Sequence, residues 1–264
     1  MNLKKEIKLS RAEKVSIFKD TCKIISDGKY ILNNSEINIK QSVEQSIANT
    51  ILYEEQEIIP TIEVVNEKTN QACMRLLSEG KENIVALNFA SGHSIGGSVL
   101  IGSSAQEEDL CRSSSLYQSI ETKPDFYSKN SCDKVKYTDD IIYSPDVVFF
   151  KDDDFNLLES PFKASVITSP APNLRDVVDD IGFDITFVLR KRILKILRIA
   201  ELHNHKTIVL GAWGCGAFYN DVNMVATIFK ECLKLNPYFE HICFAVFDTG
   251  PDTRLYSTFK NIFQ

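Results

Sequence analysis

The sequence has 264 residues, of which 44% are hydrophobic and 25% are charged, as is usual for a globular protein with one large domain. Its formal net charge of −6 at pH 7 argues against non-specific nucleic-acid binding, and it contains no run of about eighteen apolar residues that would predict a membrane span. Seven cysteines are scattered without a C-x-x-C pair, and the N-terminal segment lacks the apolar core of a secretion signal, so we expect reduced thiols, no zinc site and a cytoplasmic protein.

The beginning of the chain predicts a helical extension. Ser10–Glu13 matches a helix-capping box and is followed by apolar residues at roughly helical spacing. Residues 30–39 alternate loosely, as in a strand, and apolar residues repeat every four positions from 43 to 51, as in a short helix. We expect residues 1–60 to form this extension, packed on a core of residues 61–264.

The core begins with a strand, a helix and a second strand. Thr61–Val65 has the β-branched composition of a strand, and Asn66 can cap a helix that ends at Gly80. The apolar run Ile84–Leu87 follows and closes at Asn88. This order predicts a sheet with a parallel core and right-handed crossovers.

A glycine-rich loop and an acidic segment follow this strand. Four glycines between residues 92 and 102 allow the backbone to approach a ligand closely. Gln106-Glu107-Glu108 then places an amide and two acids in the predicted first turn of a helix. A purely structural explanation exists, because the helix dipole favours acids there and Ser104 with Glu107 fits a capping box. The combination of strand end, flexible loop and paired carboxylates instead predicts a cleft with preorganised acids.

The middle of the chain is predicted to be a polar loop followed by strands. We expect the aromatic residues of the loop over 121–140, among them Tyr137, to anchor it to the body of the protein. Residues 141–150 suggest paired strands with a turn at Ser144-Pro145, and residues 164–168 suggest a buried strand. The acidic run Lys151–Asp154 lacks EF-hand spacing and is typical of a solvated turn.

The last third contains a second glycine-rich loop. Phe183–Asn204 is the longest helical pattern, and an amphipathic helix packed on the sheet is favoured over a helix on a membrane surface. The predicted strand Thr207–Leu210 leads into Gly211–Asn220, whose successive backbone N–H groups can cradle a phosphate. The glycines do not have the G-x-G-x-x-G spacing of a dinucleotide site. The chain then closes with a helix to Leu235, a strand over His241–Asp248 and a helix starting at Pro251.

Both loops resemble those of one enzyme family. GGSVLIGSSAQEEDL is similar to the GGG-x6–8-QEE signature of poly(ADP-ribose) glycohydrolases of the compact bacterial type, and GAWGCGAF resembles their diphosphate-binding loop. The segments IIYSP and ITSPAPN also resemble this family. The sequence departs from the pattern at Ser98, where a third glycine would stand, and at Ser94-Ile95, where many relatives carry Asn-Pro. The resemblance implies an α/β fold, a three-layer α/β/α macrodomain with a central mixed sheet.

The resemblance also implies a reaction and its residues. The enzyme would hydrolyse the ribose–ribose O-glycosidic bond of poly(ADP-ribose) and release ADP-ribose, with Glu108 donating the proton and Glu107 binding the ribose hydroxyls. The implied substrate-binding residues are Asn88, Gly96, Gly97, Ser98, Gln106, Gly214, Cys215, Gly216, Ala217 and Phe218. This scheme requires no metal and no cofactor. The expected partners are ADP-ribose and ADP-ribosylated macromolecules, without nucleic-acid sequence recognition or membrane binding, and we expect a monomer.

Two alternative functions stay open from the sequence. A macrodomain can bind ADP-ribose without cleaving it, and a related hydrolase can remove a single ADP-ribose from a protein or a nucleic acid. Within the second loop, we interpret Trp213 as a support of the loop. Cys215 is flanked by glycines but has no histidine in its sequence context to activate it, so we interpret it as structural.

Overall fold

The computed structural model describes residues 10–48, 59–175, 177 and 182–264. The chain divides into two compact units, Met1–Gln56 and Glu57–Gln264. The predicted helix around residues 43–51 is present, and its last part lies outside the described residues. The packing of the extension on the core stays a prediction.

A β-hairpin separates two helices in the first unit. The alternation over residues 30–39 predicts one strand, but Asn33 and Asn34 adopt positive φ angles of 51° and 61°. Asparagine tolerates this conformation, which closes a tight two-residue turn, so the segment forms two antiparallel strands. The elements are α1 (Arg11–Asp27), β1 (Lys29–Leu32), β2 (Ser35–Asn38) and α2 (Lys40–Ala48).

The second unit is built on a six-stranded mixed sheet. Its strands are β3 (Thr61–Val65), β4 (Ile84–Phe89), β5 (Ile142–Lys151), β6 (Leu157–Ser169), β7 (Thr207–Leu210) and β8 (His241–Ala245). They lie in the order β3-β8-β7-β4-β6-β5, and only β5, at one edge, runs antiparallel to its neighbour. The predicted mixed sheet with a parallel core is therefore confirmed.

Helices cover both faces of the sheet. They are α3 (Thr69–Ser78), α4 (Gln106–Ser113), α5 (Leu116–Glu121), α6 (Pro124–Asn130), α7 (Ile185–Leu202), α8 (Val222–Leu235), α9 (Arg254–Phe263) and a 3-10 helix (Val99–Ile101). Side chains of a strand point to alternate faces, so Val85 and Leu87 of β4 pack with α7, α8 and α9, whereas Ile84 and Ala86 pack with α3 to α6. This confirms the three-layer α/β/α architecture. In the described part of the chain, no helix has the length and apolar composition needed to cross a membrane.

Contacts between distant segments override two of the local sequence patterns. Asn66 does not cap α3, which begins at Thr69. Its side chain instead donates to the carbonyl of Asp248 at 3.0 Å and accepts from the N–H of Asp248 at 2.9 Å, which ties together the chain after β3 and after β8. The predicted turn at Ser144-Pro145 is an irregularity in the register of one continuous strand, because proline cannot donate a ladder hydrogen bond.

Two helix starts also differ from the sequence-based prediction. The predicted polar loop contains α6, which has proline at its N-terminus, a position where the missing N–H is harmless. Pro251 does not begin the last helix, and the strand predicted to reach Asp248 ends at Ala245. The carboxylate of Asp248 instead accepts from the backbone N–H groups of Leu255 and Tyr256, at 2.7 and 3.3 Å, near the start of α9.

Candidate active site

A cleft of about 600 Å³ lies at the carboxyl ends of the parallel strands, the usual position of a ligand site in an open α/β sheet. Phe89 at the end of β4, Ala171 after β6 and Ala212 after β7 all line it. Both glycine-rich loops reach this cleft. The first contributes Gly97 and Ser98, and the second contributes Gly214, Gly216, Ala217 and Phe218.

Gln106 fastens the start of α4 to the end of β4. Its side-chain carbonyl accepts from the N–H of Phe89 at 2.8 Å, and its amide nitrogen donates to the carbonyl of Leu87 at 2.7 Å and to Thr69 Oγ1 at 3.0 Å. A single side chain thus satisfies two backbone groups of the central strand. The two acids that follow Gln106 are thereby held at the cleft.

Glu107 lies at the base of the cleft with 3% of its surface exposed. Its Oε1 accepts from Asn88 Nδ2 at 3.1 Å and its Oε2 from the N–H of Ser91 at 2.7 Å. The capping box with Ser104 is not formed, because α4 has no side-chain cap and Glu107 turns toward β4. Burial is the main cause that raises the pKa of Glu107 to about 8, with the neighbouring Glu108 adding to it and the two hydrogen bonds opposing it.

Glu108 and Gly97 form one closely packed unit. The Oε1 of Glu108 accepts from the N–H of Ser98 at 2.9 Å. A Cβ added at Gly97 would lie 2.4 Å from Glu108 Oε1 and 3.1 Å from Glu107 Oε2, and the φ of Gly97 is +63°. Only glycine fits these two constraints. Ser98 has a φ of −110°, which any residue adopts, so serine in place of the signature glycine costs no backbone strain.

The second loop presents backbone groups to the cleft. Gly214 has a φ of +76°, and a Cβ there would lie 2.4 Å from the side chain of Ala171, so this glycine is required by packing. A Cβ at Gly216 would meet no protein atom within 4 Å, although Gly216 lines the cleft. Gly216 is therefore where a ligand can approach the loop.

Trp213 and Cys215 support this loop. Trp213 is fully buried and donates from Nε1 to the carbonyl of Ser169 at 2.9 Å. Cys215 does not line the cleft, and burial raises the pKa of its thiol to about 12, which disfavours the thiolate that a nucleophile needs. All seven cysteines are free thiols, and among the described residues no group of three or more His, Cys, Asp or Glu is placed to hold a metal ion.

Two other residues implied to bind substrate lie behind the cleft surface. Asn88 is fully buried, and besides Glu107 it donates to Thr168 Oγ1 at 3.3 Å. Gly96 is buried, and a Cβ there would lie 2.8 Å from the ring of Tyr117. Neither lines the cleft, so their geometry suits them to support the loop and the acids.

Tyr137 links the two glycine-rich loops, a role that its sequence position does not reveal. It is 3% exposed, and a Cβ at Gly92 would lie 2.5 Å from its ring. Its hydroxyl is 3.4 Å from His93 Nδ1, and its ring centroid is 6.2 Å from that of Phe218. Arg192, which is buried in α7, donates to the carbonyl of Tyr137 at 3.0 Å. Tyr137 therefore anchors the polar loop as expected and also packs against both sides of the site.

Sequence reasoning missed several other residues of the cleft. They carry no recognisable motif and come from segments far apart in the chain, so only the fold brings them together. They include Lys68, Phe89, Asp153, Arg175 and Phe247.

The raised pKa of Glu107 leads to a prediction about stability. The folded protein retains a proton on Glu107 up to about pH 8, whereas an unperturbed glutamate releases it near 4.5, so the folded state binds more protons between these values. The contribution of this proton to the free energy of unfolding is therefore fully present below pH 4.5 and is lost as the pH rises through 8. The loss is on the order of a few kcal/mol. We expect Glu107→Gln, which mimics the protonated acid, to lose less of its free energy of unfolding over this range.

Urea denaturation at about pH 5 and about pH 9 measures the effect. Glu121→Gln, at an exposed acid, is the matched control and should follow the wild type. Equal losses in the wild type and in Glu107→Gln would show that Glu107 does not hold its proton in the folded state.

Comparisons with known proteins give consistent results for this chain. Residues 18–152 match the family described as microbial-type PARG, catalytic domain, in which PARG stands for poly(ADP-ribose) glycohydrolase. The crystal structure of PARG from Thermomonospora curvata is 37% identical, with a TM-score of 0.76, and the match covers 96% of this chain and 100% of that one. No curated protein matches the chain.

Two similar structures contain a ligand. PARG from T. curvata bound to the inhibitor ADP-HPD is 38% identical, with a TM-score of 0.73, over 96% of this chain and 100% of that one. PARG from Deinococcus radiodurans in complex with ADP-ribose is 40% identical, with a TM-score of 0.72, over 78% of this chain and 84% of that one.

Proposed function

The chain belongs to the microbial-type poly(ADP-ribose) glycohydrolases, and we propose that the cleft between its two glycine-rich loops holds the terminal ADP-ribose of the polymer. The protein is a glycohydrolase that releases ADP-ribose from poly(ADP-ribose). Its relative from D. radiodurans binds ADP-ribose and its relative from T. curvata binds ADP-HPD, which supports the same class of ligand here.

In this proposal Glu108 is the general acid. The observation that carries the assignment is the position of its carboxylate, which lines the cleft against Gly97 and accepts from the N–H of Ser98. Its proton passes to the leaving oxygen as the bond between that oxygen and the anomeric carbon breaks. The resulting carboxylate then takes a proton from water, whose oxygen bonds to the anomeric carbon.

Glu107 is the residue that binds the terminal ribose. Both of its oxygens are already oriented, by Asn88 and by the N–H of Ser91. When protonated, it retains one O–H donor and a free lone pair on each oxygen for ribose hydroxyls. Asn88 acts here through Glu107 as a positioning residue, because it does not reach the cleft.

The second loop holds the diphosphate through its backbone. We expect Gly216→Val to weaken ADP-ribose binding about tenfold or more, because the new side chain meets open cleft space where the phosphates would lie. Isothermal calorimetry measures the change, and Cys215→Val in the same loop, whose side chain does not line the cleft, should bind normally. Unchanged affinity for ADP-ribose in a folded Gly216→Val protein would show that this loop does not bind the diphosphate.

The packing of Tyr137 against Gly92 and Phe218 also makes a testable contribution. We expect Tyr137→Ala to lower kcat about tenfold to a hundredfold, because Phe218 and Gly92 lose their common support and small displacements of a bound substrate are costly. Tyr137→Phe keeps the ring and should restore most of kcat. Tyr127→Ala removes a similarly buried tyrosine that has no ring contact with Phe218, so it separates loss of stability from loss of positioning. Equal activity in both alanine variants would assign Tyr137 a purely structural role.

The assay that tests the proposal compares two substrates. The protein is incubated with poly(ADP-ribose) and with a protein that carries single ADP-ribose units, and products are identified by mass. We expect free ADP-ribose from the polymer. Release only from the mono-modified protein would favour the alternative hydrolase, and binding without any product would favour a non-catalytic macrodomain.

A further inference from the structure

The 3-10 helix Val99–Ile101 projects from the rim of the cleft beside the catalytic acid. Ser98 lines the cleft, the next five residues do not, and the chain returns to the cleft at Ser104. Val99 is partly buried against the core, but Leu100 and Ile101 are 81% and 83% exposed. They are among the most exposed large apolar side chains of the described residues, and no charged residue lies between Gly97 and Ser104.

This helix starts at the residue that orients Glu108. Ser98 is its N-cap and also donates its N–H to Glu108 Oε1 at 2.9 Å. Two residues of chain span at most about 7 Å, so Leu100 stays close to that hydrogen bond. A general acid must lie about 2.6–3.2 Å from the oxygen that it protonates. The leaving group therefore begins close to Ser98, the residue from which the helix with Leu100 and Ile101 starts.

The chemical structure of the polymer defines the group on the leaving side of the bond that is cleaved. The leaving oxygen belongs to the ribose of an adenosine, and the neighbouring carbon of that ribose carries the adenine. The two faces of adenine are flat and apolar, whereas the diphosphate of the same unit is charged. An uncharged pair of aliphatic side chains can cover a base face but offers nothing to a phosphate.

We propose that Leu100 and Ile101 form a subsite for the adenine of the leaving adenosine, which contacts the polymer on the leaving side of the cleft. The inference rests on the proposed function, because it assigns the leaving side of the same cleft. In a mono-modified protein the leaving oxygen belongs to an amino-acid side chain, and no base is available to cover Leu100 and Ile101.

The test is a double variant, Leu100→Ser with Ile101→Ser. Both side chains are exposed, so the fold and the Glu108 hydrogen bond should be unaffected. We expect kcat/KM for poly(ADP-ribose) to fall about fivefold to tenfold. The affinity for free ADP-ribose and the rate on a mono-ADP-ribosylated protein should not change. Leu202→Ser with Leu235→Ser removes two exposed leucines outside the cleft and should match the wild type on every substrate.

The outcomes separate this inference from the proposed function. Wild-type kcat/KM on the polymer in the double variant would overturn the adenine subsite and leave the glycohydrolase intact. An equal fall on polymer and mono-modified protein would indicate a disturbed Glu108 and would also overturn it. A wild-type protein that releases nothing from the polymer would overturn the proposed function and the subsite together.

Discussion

Glu108→Gln should abolish release of ADP-ribose from poly(ADP-ribose) while leaving the affinity for ADP-ribose nearly unchanged. Glutamine has the same shape, and its carbonyl oxygen can still accept from the N–H of Ser98, so the loop keeps its position. It has no acidic proton to give to the leaving oxygen. Loss of general acid catalysis typically costs about 10²–10⁴-fold in rate, which sets the size of the expected effect.

Product release measured by mass, together with calorimetry for ADP-ribose, checks both parts of this expectation. Glu107→Gln is the matched control, because it makes the same chemical change one residue away. It should act mainly on substrate affinity, since Glu107 is assigned to the ribose. If Glu107→Gln lost more kcat than Glu108→Gln, the acid would be Glu107, whose pKa is raised to about 8, and the two roles would be exchanged.

Gly97→Ala should reduce turnover at least a hundredfold. Its methyl group would lie 2.4 Å from Glu108 Oε1 and 3.0 Å from Glu108 Cδ, so the carboxylate must move away from the cleft position it now holds. A displacement of about 1 Å in a reacting group can cost on the order of 10²-fold in rate. The same substitution also introduces a side chain at a φ of +63°, which costs roughly 1–2 kcal/mol of stability.

Gly102→Ala separates these two effects. Gly102 lies in the same loop with a φ of +85°, but a Cβ there would meet nothing within 4 Å. Both variants should therefore lose similar stability in thermal unfolding, whereas only Gly97→Ala should lose activity. Comparable kcat in the two variants would falsify the close packing of Gly97 against the acids.

The central strand, both glycine-rich loops and the layer order could be predicted because each depends on a local pattern. An apolar run gives β4, and glycines between a strand and a helix give the loops. Some errors are local, such as the hairpin turn at Asn33-Asn34, but others are caused by a partner that is distant in the sequence. Asn66 can cap a helix by local criteria, but Asp248 offers its side chain both a donor and an acceptor, and the local alternative is not formed.

The position of the two acids at the cleft could be predicted from the sequence, but the protonation state of Glu107 could not. The pair Glu107-Glu108 is visible as a motif, but the burial that raises the pKa of Glu107 arises only when β4, the first loop and α4 come together. Tyr137 belongs to a polar segment with no motif, and its contact with Phe218 joins residues far apart in the chain. Cleft residues such as Phe247 and Arg175 lack a pattern for the same reason.

The acids and the second loop reach the cleft from separate parts of the chain, and this separation bears on how such proteins can diverge. The residues proposed for cleavage lie in one continuous stretch, from β4 through the first loop to the start of α4, whereas the cradle proposed for the diphosphate is encoded after β7. We therefore expect that a substitution in the first stretch that removes only the acid of Glu108 stops cleavage and leaves a protein that still binds ADP-ribose. Few substitutions would thus convert an enzyme of this architecture into a protein that binds ADP-ribose without cleaving its polymer. The Glu108→Gln variant would serve in the laboratory to capture ADP-ribosylated molecules.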